Sequence, residues 1–404
     1  MMLRNQHKAL PVLEWIRFAP FLCVGLTALG LLRRPPRFPV PARGRVVVDG
    51  EGVPVQIQSP FRGIVLTWGA WGVGGYLQNT RGPRTVLNAG GPQARKWFGE
   101  HDLMSKVFPQ VLSDDHYWDP ANGDWAQRAK SELEGLMRYD AGAYLGNGGN
   151  LGMVPLLRQA GLPGVSLTWT HKDPNKNWDD ACYSAARVET ALIGQPQLGE
   201  ALIARYKQAF ADIQAELRPE TLPHQPRVLM MGSSWKDRGY FYLKSVKNSY
   251  QIYFPPAGIL NASSGLTGDR QDGERILAMD PDMIFLTGSR HSAWPTENPQ
   301  AFLNDPRWQG LKAVRERRVY RVPGGGGLGG LILQPVYDRW MAELAHPGRM
   351  KPRVRQLLRD RFITEFNYHL SDDQIDEILN VDENRGLPEA NRFEHRPQAQ
   401  MKKG

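Results

Sequence analysis

Between Pro196 and Leu217 the apolar residues fall at Leu198, Leu202, Tyr206, Phe210, Ile213 and Leu217, the 3.6-residue period of one amphipathic helix. Pro196 suits its first turn, and Arg218-Pro219 closes it. On either side the pattern changes. GRVVVDGEGVPVQIQ, starting at Gly44, alternates apolar and polar about Asp49-Gly50 and predicts a hairpin. GIVLTWGAWGVGGYLQ gives a buried strand over 63–67 that runs into a Gly-rich loop and a helix, and DAGAYLGNGG, VPLLRQAG and GVSLTW read as strand, helix and strand. Beyond the long helix, PRVLMMGSS opens a second alternation that continues through ERILAMDPDMIFLTG to RRVYRVP. Strands alternating with helices mark parallel sheets. The pattern therefore predicts an α/β protein: two Rossmann-like lobes with central parallel sheets, joined by one long α-helix.

The same pass divides the chain. Residues 18–32, FAPFLCVGLTALGLL, form an apolar run preceded by Arg4, Lys8 and Arg17 and followed by Arg33 and Arg34. That is the length of a signal-peptide apolar region and short for a full membrane span. No A-x-A cleavage site follows it, and the residues before Cys23 make a poor lipid-attachment motif. Residues 1–43 thus read as a signal peptide or N-terminal membrane anchor plus a Pro- and Arg-rich linker. Residues 44–177 form an N-terminal lobe, 178–218 a connecting helical segment whose bridging helix is 196–218, and 225–347 a C-terminal lobe. Residues 348–404 form a helical extension, ending in RFEHRPQAQMKKG, which reads as disordered.

Composition narrows the function. With 41% hydrophobic residues in 404 the chain has material for two cores. Its formal charge of +9 is concentrated at the N-terminus, where seven Lys and Arg against Glu14 leave the remainder close to neutral. Nucleic-acid binding wants a basic stripe on the folded part, so that class is excluded. Cys23 and Cys182 make no disulfide framework and no C-x-x-C. The nine His are scattered, which disfavours direct ligation of a bare metal ion by converging side chains. No G-x-S-x-G or H-E-x-x-H occurs, Asp114-Asp115-His116 stands isolated, and no catalytic residue is assigned.

One motif points elsewhere. Gly324, Gly326 and Gly329 in GGGGLGG carry G-x-G-x-x-G spacing after a strand, as in dinucleotide-binding loops. No second strand bearing an Asp or Glu follows within a βαβ unit, as ribose recognition needs; Glu343 lies in the predicted helix. An NAD-type oxidoreductase using Gly324–Gly330 is kept as an alternative, and a flexible loop at a cleft mouth is the simpler reading.

ERILAMDPDMIFLTG, then FLNDPRWQGLKAVRERRVYRVPGG, resembles the C-terminal lobe of the substrate-binding proteins of the iron-complex (siderophore) and cobalamin class of ABC importers, the class III type with a helical backbone. VVVDGEGVPVQIQSPFRGIVL is similar to that family's opening hairpin and first strand, and RDRFITEFNYHLSDDQIDEILN resembles the extra C-terminal helices of a subset handling metal chelates and oxyanions. The resemblance implies a ligand cleft between the lobes, no cofactor and no enzymatic activity. It implies a monomer in the periplasm, secreted or tethered to the inner membrane, that delivers a ferric siderophore, haem, cobalamin or an oxyanion to an importer permease. An anchored sensor or accessory protein of the same fold is the other reading. In this family each lobe offers the permease an acidic residue; where one is expected the chain reads LILQPVYDRW, with Asp338 and Glu343 as candidates or as ordinary surface charges.

Open α/β sheets bind ligands at the C-terminal ends of their strands. That rule selects Trp68 and Trp71 after the first strand, and Tyr144 and Asn147 at the end of AGAYL. It adds Trp235, Lys236, Arg238 and Tyr240 in SSWKDRGYFY, and Arg290, His291 and Trp294 after IFLTG. Lys236, Arg238, Arg290 and His291 would supply charge-assisted donors to carboxylate, catecholate or oxyanion groups. The aromatic residues would offer flat apolar faces to the body of a chelate.

Overall fold

A computed structural model of the chain describes residues 44–57, 63–66, 86–88, 106–108, 141–146, 153–167, 178–235, 240–243, 256–266, 270–287, 298–324 and 331–395, together with Tyr76 and Thr80. Compact packing groups Val40–Gly404 into one unit.

The predicted hairpin is present. Strands β1 (Arg45–Val48) and β2 (Pro54–Ile57) pair antiparallel with Arg45 opposite Ile57 and Val48 opposite Pro54. Alternation puts Val47, Val55 and Ile57 inside, leaving Val46 and Val48 exposed. Its turn spans more than Asp49-Gly50, because the Asp49 carboxylate organises it. Oδ1 accepts the N–H groups of Glu51 and Val53, each at 2.9 Å, while Oδ2 accepts the Ser166 N–H at 3.0 Å and pairs with Arg158. A buried carboxylate is tolerable when its lone pairs are taken up in this way.

Strands β3 (Ile64–Leu66), β4 (Val86–Asn88), β5 (Ala143–Gly146) and β6 (Gly164–Ser166) form a sheet of order β4-β3-β5-β6, parallel throughout. Helix α1 (Met153–Gln159) makes the crossover from β5 to β6 and buries Leu157 against Val65 and Tyr144. Two helices follow, α2 (Trp178–Leu192) and α3 (Pro196–Leu217). The sequence-predicted stripe buries Leu202, Tyr206, Ile213 and Leu217 of α3, joined by Ile203. Pro196 stands in the first turn, and Arg218 ends α3 with φ 49°, in the left-handed region. Gly199 lets α2 and α3 touch: a Cβ there would lie 2.5 Å from Thr190 Oγ1 and 2.9 Å from the Ala186 carbonyl oxygen.

The second sheet joins β7 (Arg227–Trp235), β8 (Tyr240–Leu243), β9 (Leu260–Asn261), β10 (Arg270–Gln271), β11 (Met283–Leu286) and β12 (Val319–Arg321). Its path is β10-β8-β7-β11-β12, with β9 also on β7. Strands β7, β9, β11 and β12 run parallel, whereas β8 and β10 add antiparallel pairs. This sheet is therefore mixed rather than wholly parallel. Only residues 236–239 separate β7 from β8, and so short a connection can return only antiparallel.

The segment that carries the family resemblance turns out to be scaffold. Asp272 caps helix α4 (Gly273–Met279) on the Arg275 N–H, and Asn298 caps α5 (Pro299–Asn304) on the Ala301 N–H. Asp305 caps the turn Pro306–Trp308, and α6 (Lys312–Arg315) follows. Asp282 accepts the Arg227 N–H at 2.7 Å and Lys312 Nζ at 2.6 Å, tying β7 to α6. Trp308, 1% exposed, stacks on Phe302.

Helix α7 (Gln334–Ala345) closes the lobe, and Trp340 packs between Phe285 and Phe393. The extension comprises α8 (Val354–Phe366), α9 (Asp372–Ile378), α10 (Val381–Asn384) and a 3-10 turn at Ala390–Phe393. Disorder was expected from Arg392 onward; Arg392 and Phe393 are instead packed in place, and residues 396–404 lie outside the described residues. Phe393 is buried on Trp340, and Arg392 donates to the carbonyls of Pro347 and Met350. A buried aromatic ring gains enough apolar contact to order the turn that carries it.

Candidate functional site

Strand ends position the candidate residues. Leu66 closes β3 two residues before Trp68, and Gly146 closes β5 just before Asn147. Leu286 closes β11 four residues before Arg290. These ends are held firmly: the Thr287 N–H donates to the Met231 carbonyl at 2.7 Å, and the Leu167 N–H to Gly146 at 2.9 Å. Trp68, Trp71, Asn147, Lys236, Arg238, Arg290, His291 and Trp294 themselves lie outside the described residues.

Trp235 and Tyr240 were expected in a loop. They lie instead in strands, as the last residue of β7 and the first of β8, and are backbone partners across the antiparallel pair. Together they flank Lys236–Gly239, so Lys236 and Arg238 fall in the four residues between β7 and β8, outside the described residues. The signal for this was the apolar-aromatic run Tyr240–Leu243, which fits a strand as well as a loop rim.

Tyr144 has no exposed surface and packs with Val65, Ala141 and Leu157. Its hydroxyl accepts the Ala141 N–H over a long 3.5 Å, and burial raises its pKa against that bond. The structure thus places Tyr144 in lobe packing.

The glycine motif is rooted by the extension. At either end of β12, Arg318 and Val322 face β11, the Ile284 N–H donating to the Arg318 carbonyl and the Val322 N–H to the Leu286 carbonyl. Arg321 consequently turns both its backbone groups to the open edge. There the Asn384 side chain reads them as a neighbouring peptide would, its Oδ1 accepting the Arg321 N–H at 2.7 Å and its Nδ2 donating to the Arg321 carbonyl at 2.9 Å. Asn380 Nδ2 donates to the Val322 carbonyl at 2.7 Å. The Gly324 N–H donates to the Ile378 carbonyl, also at 2.7 Å. The first glycine of G-x-G-x-x-G therefore spends its N–H on protein, where a dinucleotide loop would turn it to phosphate. Nothing in the amino-acid pattern signalled this edge cover, since Asn380 and Asn384 stand in no motif.

Asp338 and Glu343 are not surface charges: they are 1% and 0% exposed. Asp338 accepts from Gln334 Nε2 at 2.9 Å. Glu343 accepts from Arg339 Nε and the Arg353 N–H, each at 2.8 Å, and Arg339 continues to Glu216 on α3 at 2.9 Å. Burial raises the Glu343 pKa against these donors. This network fastens α7 to the bridging helix, and neither carboxylate can meet a partner protein where it lies. Among the described residues no group of three or more His, Cys, Asp and Glu gathers to hold a metal, and no helix is long and apolar enough to cross a membrane.

A profile of the family described as Periplasmic binding protein matches residues 168–324. Solved structures extend the likeness to most of the chain. A periplasmic solute binding protein from Veillonella parvula DSM 2008 is 20% identical and superposes with TM-score 0.66, covering 85% of this chain and 99% of its own. The chain carries the class III periplasmic binding protein fold. Two further structures share this periplasmic binding protein fold. One is Helicobacter pylori CeuE as a nickel–histidine complex, 18% identical with TM-score 0.62 over 83% of this chain and 99% of that one. The other is the Haemophilus influenzae molybdate periplasmic binding protein MolA, 14% identical with TM-score 0.64 over 81% and 99%. No curated protein sequence matches the chain.

Proposed function

We propose that this protein is a solute-binding component of an ABC importer, which captures an anionic metal complex of the ferric-siderophore kind, or a related oxyanion, in the cleft between its lobes. It would present that ligand to a permease in the inner membrane from the periplasmic side, exported or tethered by residues 1–43. One observation carries the reading. In this periplasmic binding protein fold, sequence stretches rich in Trp, Arg and Lys follow directly on the C-terminal ends of β3, β7 and β11, strands of two separate sheets. Cationic donors would neutralise the ligand's charge, aromatic faces would cover its organic body, and closure would exclude water from both. The work done is a difference in affinity between open and closed states. The relatives that hold a nickel–histidine complex and molybdate support ligands of this class.

The test is tryptophan fluorescence of the protein titrated with ferric siderophores, haem, cobalamin, molybdate and NADH. Saturable quenching by one metal complex or oxyanion is expected, and Arg238→Ala with Arg290→Ala should weaken it by about 2 kcal/mol or more, roughly 30-fold in Kd. A saturable response to NADH alone would overturn the reading.

A further inference from the structure

We infer that the C-terminal extension is an interlobe clasp: α8 and α9 hold the N-terminal lobe through residues 106–108 while the same extension is bonded to the C-terminal lobe and the bridging helix. Phe108 is buried in the N-terminal core with Ile64, Ala143, Leu145 and Val165. Its ring meets the edge of Phe366, the last residue of α8, at 5.6 Å and 89°. Phe366 in turn meets Phe362 at 5.3 Å, and Phe362 has no exposed surface within the C-terminal core. Phe366 and Val107 thus pack against both cores. Beside them Lys106 Nζ donates to Glu377 Oε2 of α9 at 3.1 Å.

The far side of the extension is anchored independently. Arg205 on α3 donates to the buried Glu365 of α8 at 3.1 Å. Arg355 and Arg359 join α8 to Asp372 of α9, and Asn380 and Asn384 grip β12. Two lobes linked by a single helical connection can swing about it. A second attachment beside that connection changes the motion, because the lobes can open only by parting Phe108 from Phe366 or by carrying the extension off β12. The clasp therefore biases the ligand-free protein to one interlobe angle. It goes beyond the proposed function, since it holds whatever the cleft binds.

The experiment needs no ligand. In the full chain with Cys23→Ser and Cys182→Ser, spin labels at Gln159→Cys and Ala278→Cys, both exposed positions on different lobes, report the interlobe distance distribution by pulsed electron resonance. A single narrow distribution is expected. Phe366→Ala or Phe108→Ala should broaden or shift it by about 2 Å or more, the scale of a domain rearrangement. Phe366→Leu and Phe108→Leu, which keep an apolar side chain and so the fold, should do the same to a smaller degree. A parent distribution that is already broad, or Leu variants that melt as folded proteins yet keep the parent distribution, would overturn the clasp.

Discussion

Replacing Asn384 by Ala tests the extension's grip on β12. Asn384 is 2% exposed, and its amide satisfies both outward backbone groups of Arg321, the N–H at 2.7 Å and the carbonyl at 2.9 Å. Truncation to a methyl strands both. A buried polar group that loses its partner costs about 1–3 kcal/mol, and two such groups set an upper figure of about 6 kcal/mol. The vacated amide leaves room for about one water, which can restore part of that loss. The expected destabilisation is therefore about 2–3 kcal/mol, a 30- to 150-fold shift of the unfolding equilibrium. Urea unfolding followed by far-ultraviolet circular dichroism gives the free-energy change, and hydrogen exchange at the Arg321 amide locates it. Arg321 should lose protection along with Gly324, whose N–H is bonded to Ile378 in the same extension. A change below about 0.5 kcal/mol with Arg321 exchange as slow as before would refute the view that a side-chain amide completes this sheet edge.

Other outcomes follow from the same packing. Gly199→Ala places a Cβ 2.5 Å from Thr190 Oγ1 and 2.9 Å from backbone of Ala186; forcing α2 from α3 should cost about 1–3 kcal/mol by thermal unfolding, despite the better helix propensity of Ala. Asp49→Ala strands the N–H groups of Glu51, Val53 and Ser166 and takes the buried carboxylate from Arg158, which keeps only the Gly164 carbonyl and Glu51, and should destabilise the N-terminal lobe by about 2–4 kcal/mol, seen as faster exchange at Ser166. In the acid range, burial pushes the carboxyls of Asp282 and Asp372 up, but Lys312 and the Arg227 N–H on the first, and Arg355, Arg359 and His395 on the second, bring both below the ordinary 3.8. Groups lowered on folding stabilise above their unfolded value and lose that contribution as pH falls through the folded one, so stability measured by urea midpoint should fall below about pH 4. Glu343, raised by burial, works in the opposite sense and in a higher window: its contribution grows as pH falls through its raised value towards the ordinary 4.5, and Glu343→Gln should remove that gain while leaving the fall below about pH 4 in place.

The sequence was most informative where local physics decides. The 3.6-residue stripe of α3, the strand–helix alternation of both lobes and the hairpin at β1 and β2 follow from period and turn chemistry, which act within a few residues. The run from Glu274 to Pro323 was recognisable for a related reason. Its Asp and Asn residues are caps and strand ties whose spacing is fixed by the elements they join, so it marks a fold and says little about a ligand. Candidate contacts could be named only by the rule that strand ends meet ligands, and that rule put Trp235 and Tyr240 in a loop where the tertiary structure extends β7 and adds β8.

What the chain order could not disclose was set by contacts distant in sequence. Whether Glu343 faces solvent depends on the Arg353 N–H and on Glu216, which holds Arg339 of the same helix, arriving from two other segments. That Gly324 serves the fold rather than a phosphate depends on Ile378, and that the extension covers a sheet edge depends on Asn384 lying 63 residues beyond Arg321. A hydrophobic period states which face is buried; only the folded chain supplies what buries it, because burial and hydrogen-bond satisfaction are properties of the pair and not of either residue.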